Sequence, residues 1–523
     1  MIYRLLAVSV LTSFVVAMSS CGATDTTEEG DREGAGFEAL SGPYLGQEPP
    51  GSEPKLFLPG LVSTDDLEGC VAFLDEAKVL VFFSSQRGTL YTYEKDGKWT
   101  SPQKAPFQNT YGSGFTDFTV GPDGRTLFFQ SSRPTAPDDT ERDANIWAVE
   151  WTGSGWTDPI PLPPPANTDT NSELYPSVSQ DGSVYYFARS QPESSAGDIY
   201  RSRFVNGSYL AGETLEFPVN SDYYEVDAIV APDGSYLLFG SGRPGGFGLN
   251  DLYVSFRRSD GGWSHPHNVG KEINELIFAI RMSVTPDGKY FFFLSQRPTS
   301  LSKGESVHSP LADRWGDSDV YWIDTGFVHE LERKFRSKQC AAEIIREQYD
   351  ENGLEQAVKK MKELVSDDAY YLELSELLIL SGSMIESGEL VDAERFYEAL
   401  LTTFPDELRI KHGYAVAHIL NASTRRGLEL LKEVWTRNPS TKPTHSLGIL
   451  TLQLAAKSKD EGALEVLEFG AREIGTFGAF FELCEAHARL GNQEQAVQSC
   501  KKSLELKPDF AGALDLLEKL ERQ

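Results

Sequence analysis

Basic residues are in short supply. The 523 residues include 48 Lys and Arg against 78 Asp and Glu, a formal net charge of −30 at pH 7, and no basic run exceeds two residues. Nucleic-acid phosphates and anionic lipid headgroups are held by clustered cations, so neither is expected as a partner. Cysteine is sparse too: five residues, none at metal-ligand spacing. The eight His form no His-x-x-x-His pair. There is no Gly-x-Ser-x-Gly elbow and no phosphate loop. Gly245-Gly-Phe-Gly248 has no helix pattern behind it and reads as a hairpin loop. Asp138, Asp139, Asp143, Asn250 and Asp251 offer oxygen ligands in loops, but sequence does not assemble them into a site. No metal, no cofactor and no enzymatic activity are expected.

Long apolar runs are missing apart from Leu5–Met18, which is too short for a comfortable membrane span. Arg4 precedes that run and Ser19-Ser20-Cys21-Gly22 follows it, the layout of a secretory signal. A Cys directly after small residues resembles a bacterial lipoprotein signal. That likeness implies removal of residues 1–20, lipidation at Cys21 and, with Gly22 rather than Asp next, the outer membrane facing the periplasm. An ordinary signal peptide with a chance Cys is the alternative. Residues 21–43 are rich in Thr, Glu, Asp, Gly and Ser. They cannot offset their ordering entropy by burial, so a disordered acidic tether is expected.

What the chain does have is repetition. Pro232-Asp-Gly234, Tyr236-Leu-Leu-Phe239, Ser241-Gly-Arg243 and Asp251-Leu-Tyr253 recur as Pro286-Asp-Gly288, Tyr290-Phe-Phe-Phe293, Ser295-Gln-Arg297 and Asp319-Val-Tyr321. Glu76, Asp123, Asp181, Asp233 and Asp287 anchor five copies at a period of roughly 50 residues, which signals a propeller or solenoid. Asp-Gly supplies the positive φ of a tight hairpin. Trp99, Trp156 and Trp263, with Tyr209 standing in for the third copy, mark a fourth strand. Four strands per unit make a propeller blade. The fifth copy lacks its outer strand, and the orphan segment Lys55–Pro59 is expected to close the ring by pairing with it. The fold class is therefore multidomain β plus α: a five-bladed β-propeller over 44–325, followed by an α-helical solenoid over 326–523.

In that C-terminal part Gly and Pro thin out and Leu, Ala, Glu and Lys recur with period 3.6. Pro405 and Pro439 stand 34 residues apart and Pro508 about twice that further on. This is the helix–turn–helix period of the tetratricopeptide repeat, placed at 374–407, 408–441, 442–476 and 477–510 after a helical pair near 328–367. Helical phase puts Glu373, Glu376, Lys411, His412 and Glu485 exposed on the concave face. Cys484 and Cys500 share one hairpin; a disulfide is permitted, but burial as two small core residues is the reading taken.

The segments Ser241-Gly-Arg-Pro-Gly-Gly-Phe-Gly248, Asp251-Leu-Tyr253 and Tyr44-Leu-Gly-Gln-Glu-Pro-Pro-Gly51 are similar to the WD40-like repeats of the TolB type of periplasmic propeller. The resemblance covers roughly 44–325 and implies protein–protein interaction in the envelope. The helical part is similar to tetratricopeptide tails of envelope proteins. Three carboxylates, Glu68, Glu173 and Glu225, fall eight residues before the turn anchors. Asp117, Asp227 and Arg281 fall at the position two later. Together they form a candidate ring lining the channel. Paired carboxylates cleave glycosides, so a glycan-binding or glycan-hydrolysing propeller is the alternative function. A catalytic site usually breaks repeat symmetry, so the reading taken is structural, within a scaffold that binds envelope proteins or peptides. Arg87, Arg133, Arg243 and Arg297 are expected to pair with Asp198-, Asp251- or Asp319-type positions. His265 and His267 are expected to face solvent.

Overall fold

The computed structural model describes residues 40–522 apart from 65, 67, 109–116, 137–138, 140–142, 170, 191–197, 222, 244–245, 248–249, 275–276, 296–318, 336–337, 366, 368, 373, 422, 438–461 and 509. The leader, Cys21, most of the tether, Asp138, Arg297, Glu373 and Pro439 lie outside the described residues.

Five antiparallel sheets follow one another along the chain. Blade one is Glu68–Leu74, Val79–Ser84, Gly88–Lys95 and Gln103–Lys104; blade two is Phe118–Val120, Thr126–Ser131, Asn145–Glu150 and Ile160–Pro161. Blade three is Asn171–Val178, Val184–Ser190, Asp198–Ser202 and Glu213–Thr214; blade four is Glu225–Val230, Tyr236–Ser241, Asp251–Phe256 and His267–Asn268. Blade five has Ile277–Val284, Tyr290–Ser295 and Asp319–Asp324, and takes its outer strand from Lys55–Leu56.

Local chemistry explains the hairpins. Gly124, Gly182, Gly234 and Gly288 all sit at positive φ. The Asp before each accepts a backbone N–H two residues on, at 2.9 Å from Arg125, Ser183 and Ser235 and 3.2 Å from Lys289. Blade one has Glu76 at the anchor and turns through Asp75, Glu76 and Ala77, all at positive φ. Left-handed backbone costs a side-chain-bearing residue roughly 1–2 kcal/mol, which is why the other four copies use Gly.

The Trp residues mark a different element from the one expected. Trp99, Trp156 and Trp263 close a short hairpin after the third strand, pairing with Glu94, Trp151 and Arg257. The outer strand comes next. Blade three does the same with Phe204 opposite Tyr209. Packing decides this placement: Trp156 lies edge-on to Tyr91, Phe107 and Trp151, in the core shared by blades one and two.

Ring closure follows the expectation. Lys55 pairs with Trp322 and Leu56 with Tyr321, and the Phe57 N–H donates to the Val320 carbonyl at 2.8 Å. Phe57 is fully buried and meets Phe292 and Trp322 edge-on at 5.1 and 5.3 Å. Tyr44 packs against Phe73, Tyr290 and Trp322 from the same side.

Beyond blade five the described chain is mainly helical. Gly326–Phe335 packs through Val328 on Phe291 and Ile323. Helical hairpins follow: Ala341–Asn352 with Leu354–Leu364, Leu374–Glu386 with Leu390–Thr403, Leu408–Leu420 with Thr424–Arg437, and Phe477–Arg489 with Gln493–Leu506. Ala463–Ile474 precedes the last hairpin and Ala511–Glu521 ends the array. Gly427 permits one close approach: a Cβ there would stand 2.7 Å from Ile419 Cγ1 and 2.8 Å from the Ala415 carbonyl. Cys484 and Cys500 are joined by a disulfide, with Cα atoms 5.2 Å apart, so the reading of two free core thiols is corrected. The tight turn at Gly491 brings the two helices together with both sulfurs buried between them.

Candidate functional site at the channel and the domain junction

The inner strand of each blade, or in blade two the residue just before it, contributes one residue to a common register: Cys70, Asp117, Tyr175, Asp227 and Arg281. In four blades the strand pairing slips at this point. Cys70, Tyr175, Asp227 and Arg281 there adopt φ between 42° and 57°. A bulge of this kind re-aims a side chain at local backbone cost. The Cys70 thiol donates to Asp117 Oδ1 at 2.8 Å. Gln130 donates to Asp117 Oδ2 at 2.6 Å and accepts the Tyr175 N–H at 2.8 Å. Arg281 Nε lies 3.8 Å from Asp117 Oδ1, and Asp227 accepts the Met282 N–H at 3.2 Å.

Cys70, Asp117, Asp227 and Arg281 are all buried. Burial, with the nearby Asp117 charge, pushes the Asp227 carboxyl well above the usual range. Burial also raises Asp117, against the pull of Arg281. Among the described residues no group of three or more His, Cys, Asp or Glu is arranged to hold a metal ion. Cys70 and Tyr175 were missed in the sequence. Their register was readable from the repeat, but their side-chain types gave no charge pattern to follow.

The three glutamates have other company. Glu225 accepts from Ser221 N–H and Oγ at 2.9 and 2.7 Å and from Ser241 Oγ at 2.8 Å. Thr168 Oγ1 donates to Glu173 at 2.8 Å, and Thr64 donates to Glu68. Burial raises Glu68 and Glu173 to about 8 each. Arg87 lies 3.8 Å from Glu68, and Arg243 lies 3.3 Å from Glu225. Arg133 donates to the Phe107 carbonyl at 2.6 Å. Asp251, expected to meet such an arginine, accepts from the Phe247 N–H at 2.6 Å and from Asn268 at 2.9 Å. The arginine of the repeat thus reaches the inner-strand glutamate in blades one and four.

A second cluster joins the propeller to the helical array. Arg243 Nη1 reaches Glu376 Oε1 at 3.4 Å while Nη2 holds Glu225 and donates to the Val219 carbonyl at 2.7 Å. His265 Nε2 meets Glu343 Oε1 at 2.7 Å, and its Nδ1 lies 3.5 Å from Glu376 Oε2. Burial lowers the His265 pKa, but Glu343 and Glu376 outweigh it and lift it to about 9. His267 stacks on Phe335, ring centroids 3.9 Å apart, and meets the tilted ring of Tyr371 at 4.9 Å. Tyr223 approaches helix Leu374–Glu386 so closely that a Cβ at Gly382 would stand 2.8 Å from its hydroxyl.

Two expectations are corrected here by one cause, the docking of the array on blade four. His265 and His267 are buried rather than solvent-facing, and Glu376 is buried rather than displayed on a concave face. Lys411, His412 and Glu485 are half-buried, and Lys411 donates to Glu433 at 2.6 Å.

These features define a class: a five-bladed propeller-like β region followed by a repeat array of helical hairpins. No family model and no curated protein matches the chain. Solved structures similar to it include MamA (AMB-1), at 15% identity and TM-score 0.21, covering 32% of this chain and 96% of that one. TTC0263, a thermophilic TPR protein in Thermus thermophilus, shows 17% identity and TM-score 0.21, covering 35% and 96%. YrrB, a TPR protein with an unusual peptide-binding site, shows 16% identity and TM-score 0.23, covering 36% and 97%. At these scores the likeness carries no weight, and the class rests on the chain's own geometry.

Proposed function

We propose that this protein is a non-enzymatic scaffold of the bacterial cell envelope. Lipid at Cys21 tethers it to the outer membrane, facing the periplasm. The propeller, similar to TolB-type WD40-like repeats, and the tetratricopeptide array bind proteins or peptides. The observation that carries this reading is the buried bridge from Glu225 through Arg243 to Glu376. It fuses two repeat arrays into one body, and repeat arrays serve as extended binding surfaces.

Other features agree with it. The Cys484–Cys500 disulfide suits an oxidising compartment. The carboxylates that a glycan-cleaving propeller needs are engaged inside the blades or buried at the channel.

Two experiments test the proposal. Cys21→Ser should release the full chain from salt-washed membranes; unchanged pelleting removes the lipid anchor. Crosslinking in intact cells should join the full chain to other envelope proteins. Recovery as an uncrosslinked monomer, or turnover of envelope glycans by the purified protein, overturns the scaffold.

A further inference from the structure

A cavity of about 470 Å³ opens where blade three and the loop that follows it meet the helical array. That size falls within the range of small-molecule sites, and junctions between domains are where such sites concentrate. Leu215 and Phe217 from the propeller side and Ile379 from helix Leu374–Glu386 give it an apolar wall. Phe217 leaves 52% of its surface exposed. It is nevertheless fixed in place, its ring edge-on to His265 with centroids 5.5 Å apart. A positioned, uncovered aromatic ring in a concave junction is a ready apolar contact for a ligand.

Arg346, half-buried on helix Ala341–Asn352, also lines the cavity. In a chain with 78 acidic and 48 basic residues, a guanidinium near a junction would ordinarily have found a carboxylate. Among the described residues the Arg346 side chain makes no ion pair and no hydrogen bond. It borders a second, more acidic cavity of about 390 Å³ lined by Asp350, Glu389 and Asp392. Even there Glu389 takes its hydrogen bond from the Tyr349 hydroxyl, at 2.6 Å. Two other polar residues of the junction cavity, Asn220 and Ser221, are engaged. The Asn220 amide clamps the Ile199 and Leu215 backbone, and the Ser221 hydroxyl donates to Glu225. Asp198 lines the cavity as well and disfavours an anion at its own end.

We propose that this cavity binds a small amphipathic carboxylate. Its apolar or aromatic body lies against Phe217, Leu215 and Ile379, and its carboxylate takes the planar fork of Arg346. The ligand touches the propeller loop and two array helices at once, so its binding tightens the junction. This site is independent of any envelope location.

The test is calorimetric titration of the full chain with N-acetyl-phenylalanine and, in parallel, with its uncharged C-terminal amide. The acid should bind saturably and the amide about tenfold more weakly or worse, because a charge-assisted pair is lost. Arg346→Gln should bring the two ligands to equal affinity, and Arg346→Lys should keep part of the preference for the acid. Phe217→Ala should weaken both ligands alike. No saturable binding of the acid, equal affinity of acid and amide for the natural chain, or an unaltered preference in Arg346→Gln each overturns the proposal.

Discussion

Glu376→Gln isolates the junction. The substitution keeps side-chain shape and removes one charge, leaving Arg243 with Glu225 and backbone carbonyls, and His265 with Glu343 alone. Breaking a fully buried ion pair typically costs about 3–5 kcal/mol. Arg243 retains partners, so the low end, about 3 kcal/mol, is expected. Part of the effect is pH-dependent. The folded pKa of His265 is raised from 6.5 to about 9. Its contribution is therefore fully present below about pH 6.5 and is lost as pH rises through about 9. At 1.36 kcal/mol per pKa unit the ceiling is about 3 kcal/mol. Glu376→Gln should shrink that fall. Urea denaturation at pH 6, 7.5 and 9.5, followed by far-UV circular dichroism for the helices and by near-UV signal for the aromatic-rich propeller, measures both effects. The natural chain should show coincident transitions at pH 6, and the variant should lose helical signal first. A loss below about 1 kcal/mol with an unchanged pH slope would refute the account of the junction.

Three further outcomes are expected. Glu173 is raised by burial from 4.5 to about 8; its share of stability is present below about pH 4.5 and lost towards pH 8. Glu173→Gln should therefore leave the melting temperature unchanged near pH 4.5 and raise it near pH 8. Replacing both Cys484 and Cys500 by Ala should destabilise the last hairpin by about 3 kcal/mol, as for a loop of about 15 residues, read as faster amide exchange confined to residues 477–521. Phe57→Ala should cost about 3–5 kcal/mol and expose blade five's edge, measured as a lower melting temperature with light scattering on heating; an unchanged melt would mean that the ring closes without this strand.

Much of the fold was legible because each blade repeats the same local chemistry. Asp233-Gly234 before Tyr236-Leu-Leu-Phe239 specifies turn and buried strand together, and five copies make the pattern unmistakable. The orphan segment at Lys55 was legible because the last copy lacks an outer strand. The junction was not. Leu374–Glu386 is apolar nearly all round and buried along most of its length, so its periodicity does not tell the side that meets the propeller through Glu376, Ile379 and Gly382 from the side that meets the other helices. His265 and His267 were misjudged because polarity reads as solvent. At the channel, the register of Asp117, Asp227 and Arg281 was readable. The bulge that separates them from Glu68, Glu173 and Glu225 was not, because a strand drawn as regular puts both sets on one face.

The closing strand has a consequence for assembly of the chain. Lys55 and Leu56 are made first, yet their partners Tyr321 and Trp322 arrive roughly 270 residues later, tens of seconds at the usual pace of synthesis. A product that stops before Trp322 keeps an open seam, with Phe57 and Tyr44 lacking the Trp322 ring that packs on them in the intact molecule. Two complete copies brought together before closure can exchange this segment, each supplying the outer strand of the other's fifth blade. The two-residue ladder that closes the ring within one chain is thus also the place where a domain-swapped dimer would form.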